Sequence, residues 1–458
     1  MDTPLAPESL PASLSPLADP AARMSPRRPS FFYQLGLALV TVAMVLLPCI
    51  YIALTICAGY GVYYFATHEF LAIWNWHVRG RYGFVIMFIC SVTPLLVGTI
   101  IVIFMIKPIF ARRTKRMQPI TLNPDHEPVF REFVHRICAI VGAPAPREIH
   151  FDCDVNASAG FRRGFLSFLG SDLVLTVGLP LMAGLSVRQL AGVIAHEFGH
   201  FTQGVGMRLS YVVRRVNHWF ARVIYERDSW DAALEEWAAS DLHWSLSIML
   251  GCARAGVWFS RLILTGLMYI GHAFSSFLMR QMEYDADRCE VHVAGSDDFE
   301  ATTLRLGELG ATTNFVYHEM QQTWQTARRL PDNVPLLVGH HAARIPDEVR
   351  AKVAEQSTKE KTGWLDTHPS AADRIAAARR AAQPGLIAED APAPDLLANF
   401  ATLGKFVTLA HYEDDLEIET DEDTFISVEA VLRQPEPVAP PPPESLPQAP
   451  RWQGPPVG

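Results

Sequence analysis

The stretch Ala195-His196-Glu197-Phe198-Gly199-His200 has the pattern H-E-x-x-H. On a helix, residues four apart share a face, so His196 and His200 are placed to hold one metal ion between them. Glu197 lies one step round, within reach of a proton on a metal-bound water. The lead-in, Leu185 to Ile194, supports a helix. Ser186 followed three residues later by Gln189 fits a capping box. Leu190, Val193, Ile194 and Phe198 recur at helical spacing, which predicts burial along one side. Two surface histidines beside a solvated glutamate are the bland alternative. Imidazoles and a carboxylate on a buried helix need partners, however, and a metal supplies them.

A mononuclear catalytic zinc takes three protein ligands and keeps a fourth position open. Downstream lies Glu283-Tyr284-Asp285-Ala286-Asp287, with Glu283 and Asp287 again four apart. Glu283 is the expected third ligand of one Zn²⁺ per chain. Asp287 is expected to accept the free ring N–H of a ligating histidine and so fix its tautomer. Read alone, the pair fits an acidic surface turn facing Arg280 and Arg288; beside the upstream motif it fits a metal site.

Together these two motifs resemble the M48 family of zinc metallopeptidases, which has HtpX-like and CAAX-prenyl-endopeptidase-like branches. Two smaller matches accompany them. Asn156-Ala157-Ser158-Ala159 is similar to the family's Asn-Ala segment at the edge of the cleft, and Thr367-His368-Pro369, followed by Arg374, is similar to its late His-Pro element. The resemblance spans about residues 107 to 380 and the apolar segments before them. It implies a mainly α domain with a small β-sheet, a gluzincin-type zinc metallopeptidase preceded by two transmembrane helices. It also implies that His368 stabilises the oxyanion, that Arg374 orders that element, and that Asn156 and Ala157 touch substrate. The activity so implied is membrane-bound, zinc-dependent endopeptidase action on polypeptides, above all membrane proteins, in quality control or processing. A rival from another class is a membrane-anchored scaffold with a structural zinc site, though such a site has no use for Glu197. A processor of lipidated C-termini is the other alternative.

The chain has 458 residues and is 49% hydrophobic, ample for an ordinary domain and membrane segments. Of its net charge of −9, eight carboxylates fall in the single run Glu413 to Asp423, so the rest is near neutral and nothing points to nucleic acid. Oligomeric state is not legible. The seven cysteines are scattered, without a CxxC, which argues against a disulfide framework and fits a reducing compartment.

In order, residues 1–29 are rich in Pro, Ser and Ala and read as a disordered lead. Residues 30–106 read as two spans: Ser30 to Thr67 carries no charge, with a span at about Leu35 to Ala58, and Gly83 to Ile106 is the second. The bases Lys107, Arg112, Arg113, Lys115 and Arg116 follow at once, against only Arg79 and Arg81 between the spans. The positive-inside rule then sets the catalytic domain on the cytoplasmic side of the plasma (inner) membrane. Residues 107–382 form the peptidase domain. Within it Glu148 to Asp154 and Asp172 to Val177 read as strands, and Asn156 to Ala159 as part of a sheet edge. Residues 205–279 read as membrane-associated helices; Arg254 and Arg261 leave open whether 244–279 crosses the bilayer, because buried arginines there are costly. Phe299 to Leu309 and Tyr317 to Leu330 read as two helices. Residues 383–458, acidic and then Pro-rich, read as a largely disordered tail.

Overall fold

The computed structural model describes residues 17, 19–25, 31–75, 82–110, 120–122, 126–162, 172–202, 205–225 and 244–433. The bases at 79, 81 and 112–116, the polar stretch 226–236 and the tail beyond 433 lie outside them. The chain divides into two compact units. The described residues are mostly helix, with one four-stranded sheet and one pair of very short strands.

One unit comprises Phe31–Thr114 and Leu209–Phe277. Its first helix is Phe31–Tyr64, which tolerates Pro48, and the next long one is Gly83–Ile106. Their apolar side chains face outward in number: Ile56, Phe84 and Ile103 are all more than half exposed. Such surface suits lipid rather than water. One polar group inside finds its partners within the unit. The buried Tyr51 hydroxyl donates to the Met105 carbonyl at 2.9 Å and lies 2.7 Å from Ser260 Oγ. Among the described residues, three helical stretches are long and apolar enough to cross a membrane: Phe31–Trp74, Gly83–Phe110 and Gly251–Ala294. The first two contain the expected spans. The third belongs to a single unbroken helix, Trp244–Ala294, of 51 residues.

The other unit comprises Met1–Ser30, Lys115–Arg208 and Leu278–Gly458. Its sheet has the order β1-β2-β4-β3. Strand β1 is Ile120–Thr121, β2 Glu148–Asp152, β3 Ala157–Phe161 and β4 Leu173–Gly178. β2 and β4 run parallel, and β3 is an antiparallel edge strand on β4. Period-2 alternation sends Ile149, Phe151, Ala157, Ala159, Leu173 and Leu175 to one buried face. The Phe151 ring meets Phe130 of the Pro128–Val141 helix, centroids 5.5 Å apart. Gly178 permits the turn into β3: a Cβ there would stand 1.7 Å from the Asp154 carbonyl oxygen.

The Val187–Gly199 helix begins with the predicted capping box, both Ser186 and Gln189 bonds being present. Two of its glycines let the Trp244–Ala294 helix come close. A Cβ on Gly199 would stand 3.0 Å from Ala286 Cα, and one on Gly192 2.9 Å from Ala294 Cβ. That approach brings the two sequence motifs together.

Three expectations about this unit need correction. The two helices at 299–309 and 317–330 are one helix, Ser296–Ala327. The expected break at residues 310–316 is helical, because Gly310, Thr312 and Val316 are buried there and packing holds the turn despite the run's weak helix propensity. The lead is not wholly disordered: Leu17 and Ala22 are buried, and Met24 N–H donates to the Ile140 carbonyl. The tail is part of the fold as far as residue 433. Ile387, Ala393, Leu396, Val407, Tyr412 and Val428 are buried, and Phe400–Ala410 is a helix capped by Asn399. The spaced apolar residues among the acids and prolines provide that packing.

Candidate metal centre

The Val187–Gly199 helix and the last turns of Trp244–Ala294 face one another across the site. His196 Nε2 stands 3.6 Å from Glu283 Oε2, and His200 Nε2 stands 3.8 Å from Glu283 Oε1. All three side chains are buried, and one ligand atom from each lies within 4.8 Å of the others. Zinc bonds of about 2.1 Å at tetrahedral angles put ligand atoms about 3.4 Å apart. The observed separations are close to that, and two imidazoles with a carboxylate form a donor set suited to zinc, so the residues fit the ion. The two rings are nearly perpendicular, at 87°, with centroids 4.9 Å apart.

The other nitrogen of His196 is also engaged. Nδ1 lies 3.1 Å from Asp287 Oδ1 and 3.6 Å from Glu290 Oε2. Burial works against a charge on this imidazole, yet Asp287 and Glu283 outweigh it and push its pKa up to about 10. With Nδ1–H given to Asp287, Nε2 is the nitrogen turned to Glu283. Arg374 grips Asp287 in turn, its Nε 3.0 Å from Oδ2, and its guanidinium lies over the Phe299 ring. Burial also disfavours the charge on Arg374, but Asp287 beside it raises its pKa.

Glu197 is buried one step round the helix. Its Oε2 accepts the Ala159 N–H of β3 at 3.3 Å, so the edge strand and this carboxylate are tied together. Asn156 and Ala157 open that strand. The Asn156 carbonyl accepts the Gly178 N–H, and Ala157 is buried opposite Val177. They join the site through the strand.

His368 reaches the centre from a loop, its Nδ1 3.4 Å from Glu283 Oε1, with about a third of its side chain exposed. Two further residues join the expected set. Arg280 donates to the Asp366 carbonyl at 2.7 Å and to the Trp364 carbonyl at 3.2 Å, anchoring the segment just before His368. Glu290 completes a carboxylate row with Glu283 and Asp287. Spacings of three and four could have revealed both: Arg280 lies three before Glu283, and Glu290 three after Asp287.

No curated protein and no solved structure matches the chain. Peptidase family M48, however, matches residues 124–382, more than half of its length and all of the arrangement just described. The chain is therefore a member of peptidase family M48.

Proposed function

We propose that this protein is a membrane-bound, zinc-dependent endopeptidase of gluzincin type. The reading rests above all on His196, His200 and Glu283 converging within metal-binding distance beside the buried carboxylate of Glu197. His196, His200 and Glu283 hold the zinc. When bound, the ion supplies Lewis acidity, lowering the pKa of water and polarising the scissile carbonyl. Glu197 takes the proton from the attacking water and passes it to the leaving amine nitrogen. Asp287 holds the His196 ring in the tautomer that presents Nε2, and Arg374 keeps Asp287 ionised. His368 donates a hydrogen bond to the carbonyl oxygen as negative charge gathers there. An extended peptide adds to the outer edge of β3, with Asn156 and Ala157 at its start, in the manner of strand addition.

The apolar helices supply the anchorage, and the substrates are polypeptides, membrane proteins in particular, met in quality control or processing. In this reading the catalytic unit faces the cytoplasm at the inner membrane, supported by the excess of bases after Ile106.

Two variants test the assignment. Glu197→Gln is expected to keep one zinc per chain while cleavage of a membrane-protein substrate falls by about a hundredfold or more. Glu283→Gln is expected to lose zinc. Cleavage that survives Glu197→Gln would sink the proposed base, and full zinc in Glu283→Gln would remove that ligand.

A further inference from the structure

A pocket of about 370 Å³ lies within the Phe31–Thr114 and Leu209–Phe277 unit, away from the metal-ligating residues in sequence and fold. Pro48, Ile52 and Ile109 form part of its lining; Arg215, Trp219 and Arg222 form another. The second set, with His218, occupies one face of the Val205–Tyr225 helix, at spacings of three, four and seven. Arg222 Nε is buried and meets no hydrogen-bond partner among the described residues. The pocket thus joins guanidinium groups to apolar walls, a lining made for an amphiphile with an anionic head.

Its depth along the helices fits the same ligand. The Tyr51 hydroxyl bonds the Met105 carbonyl, so the Pro48–Ile52 turn is level with the end of the charge-free helix Gly83–Ile106, and the part of the first helix beside that span begins near Tyr51 rather than at Leu35. Lys107 follows directly, and Ile109 faces the pocket. Where an apolar helix gives way to lysine, a bilayer gives way to its phosphate layer. Exposed apolar side chains adjoin on the chain, Ile52 at 41% and Phe110 at 75%, and provide a surface for an acyl chain.

We infer that this pocket binds the phosphodiester of an anionic phospholipid, with Arg215 and Arg222 on the phosphate and the acyl chains against the Ile52 and Phe110 side. Arginine's planar fork matches phosphate oxygens in pairs, and basic pockets between membrane helices are suited to such head groups. The inference goes beyond the peptidase reading and shares only its membrane anchorage.

The test uses the full chain purified in a neutral detergent. Native mass spectrometry is read while phosphatidylglycerol, or phosphatidylcholine with the same acyl chains, is titrated in. One phosphatidylglycerol per chain is expected, preferred over phosphatidylcholine by about tenfold or more, as two arginines near a lipid phosphate warrant. The double variant Arg215→Ala/Arg222→Ala should lose that preference, whereas Arg329→Ala, an exposed arginine in the other unit, should keep it. If the alanine variant fails to fold, Arg215→Lys/Arg222→Lys retains charge without the paired geometry and should lose a few-fold of the preference. Equal retention of both lipids by the native protein, or unchanged preference in a folded double variant, overturns the inference. Displacement by millimolar inorganic phosphate would assign the site to a free anion and overturn the lipid. Carbonate extraction of membranes separates the two readings. A chain released by carbonate defeats the anchorage; a chain that stays but shows no lipid preference defeats the pocket alone.

Discussion

Arg374 donates to both carboxylate oxygens of Asp287, and Asp287 faces His196 Nδ1 at 3.1 Å. A guanidinium, a carboxylate and an imidazole thus stand in series behind Nε2 of His196. Removing either outer member should be felt at the ion without touching it. Asp287→Asn is expected to weaken zinc binding by about ten- to a hundredfold, the usual cost of losing such support. Arg374→Ala should do the same in direction, leaving Asp287 as an uncompensated buried charge. Competition against a fluorescent chelator measures both. Native affinity in the two variants would show that the series carries no energy to the site.

Protons should accompany the metal. Without zinc, Asp287 and Glu283 raise the His196 pKa to about 10, so the ring is charged at pH 7.5. Zinc binding needs neutral Nε2 and must expel that proton. Calorimetry of zinc added to the chelator-stripped protein, in two buffers of different ionisation enthalpy, should show release of about one proton from this group. The release should vanish only above pH 10, once the ring is already neutral. A binding enthalpy independent of buffer at pH 7.5 contradicts the raised pKa.

The glycines between the two motif helices admit a steric test. Gly199→Ala puts a methyl 3.0 Å from Ala286 Cα, a backbone atom that cannot swing aside. A loss of about 1–3 kcal/mol is expected, with weaker zinc binding as the helices separate. Gly142→Ala is the contrast. It meets nothing within 4 Å, so its cost comes from its left-handed φ of 80° and should leave zinc affinity alone. Thermal melts and zinc titrations of both variants distinguish spacing from general damage.

The segment after residue 382 should behave as core. Tyr412 is fully buried, and its hydroxyl donates to the Pro331 carbonyl at 2.9 Å. Tyr412→Phe is expected to cost about 1 kcal/mol. Tyr412→Ala, which empties the ring's volume, should cost about 3–5 kcal/mol. A melt unchanged by the alanine would mean that this segment does not support the fold.

Arg280 offers a split between binding and turnover. Arg280→Ala releases the 363–366 backbone that leads to His368, without altering a metal-facing atom. Turnover is expected to fall several-fold while zinc content stays at one per chain. Equal activity would detach His368 from the reaction.

What the residues told in advance, and what they withheld, divides by range of interaction. The capping box at Ser186, the alternation in β2 and β4 and the charge-free helices are local patterns, and each formed as read. The pairing of Glu283 with His196 and His200 was legible because both motifs have helical spacing. Glu290 and Arg280 have the same spacing but belong to no motif, and a lone Glu or Arg on a helix is ordinarily solvated. The region after 382 is polar in composition, and what holds it lies far off in sequence: Ala393 N–H donates to the Leu185 carbonyl and the Tyr412 hydroxyl to the Pro331 carbonyl.

The order of these parts along the chain has a consequence for synthesis. His196 and His200 are made first, Glu283 and Asp287 some eighty residues later, and Arg374 almost a hundred after that. A ribosome-bound chain that has reached residue 300 already contains every metal-facing group, yet Asp287 has no guanidinium to balance it. The last partner to emerge is therefore the one that balances the buried acid. A chain cut short before Arg374 would hold the proposed zinc ligands without the cation that balances Asp287, and by the proposed mechanism is expected to bind zinc weakly.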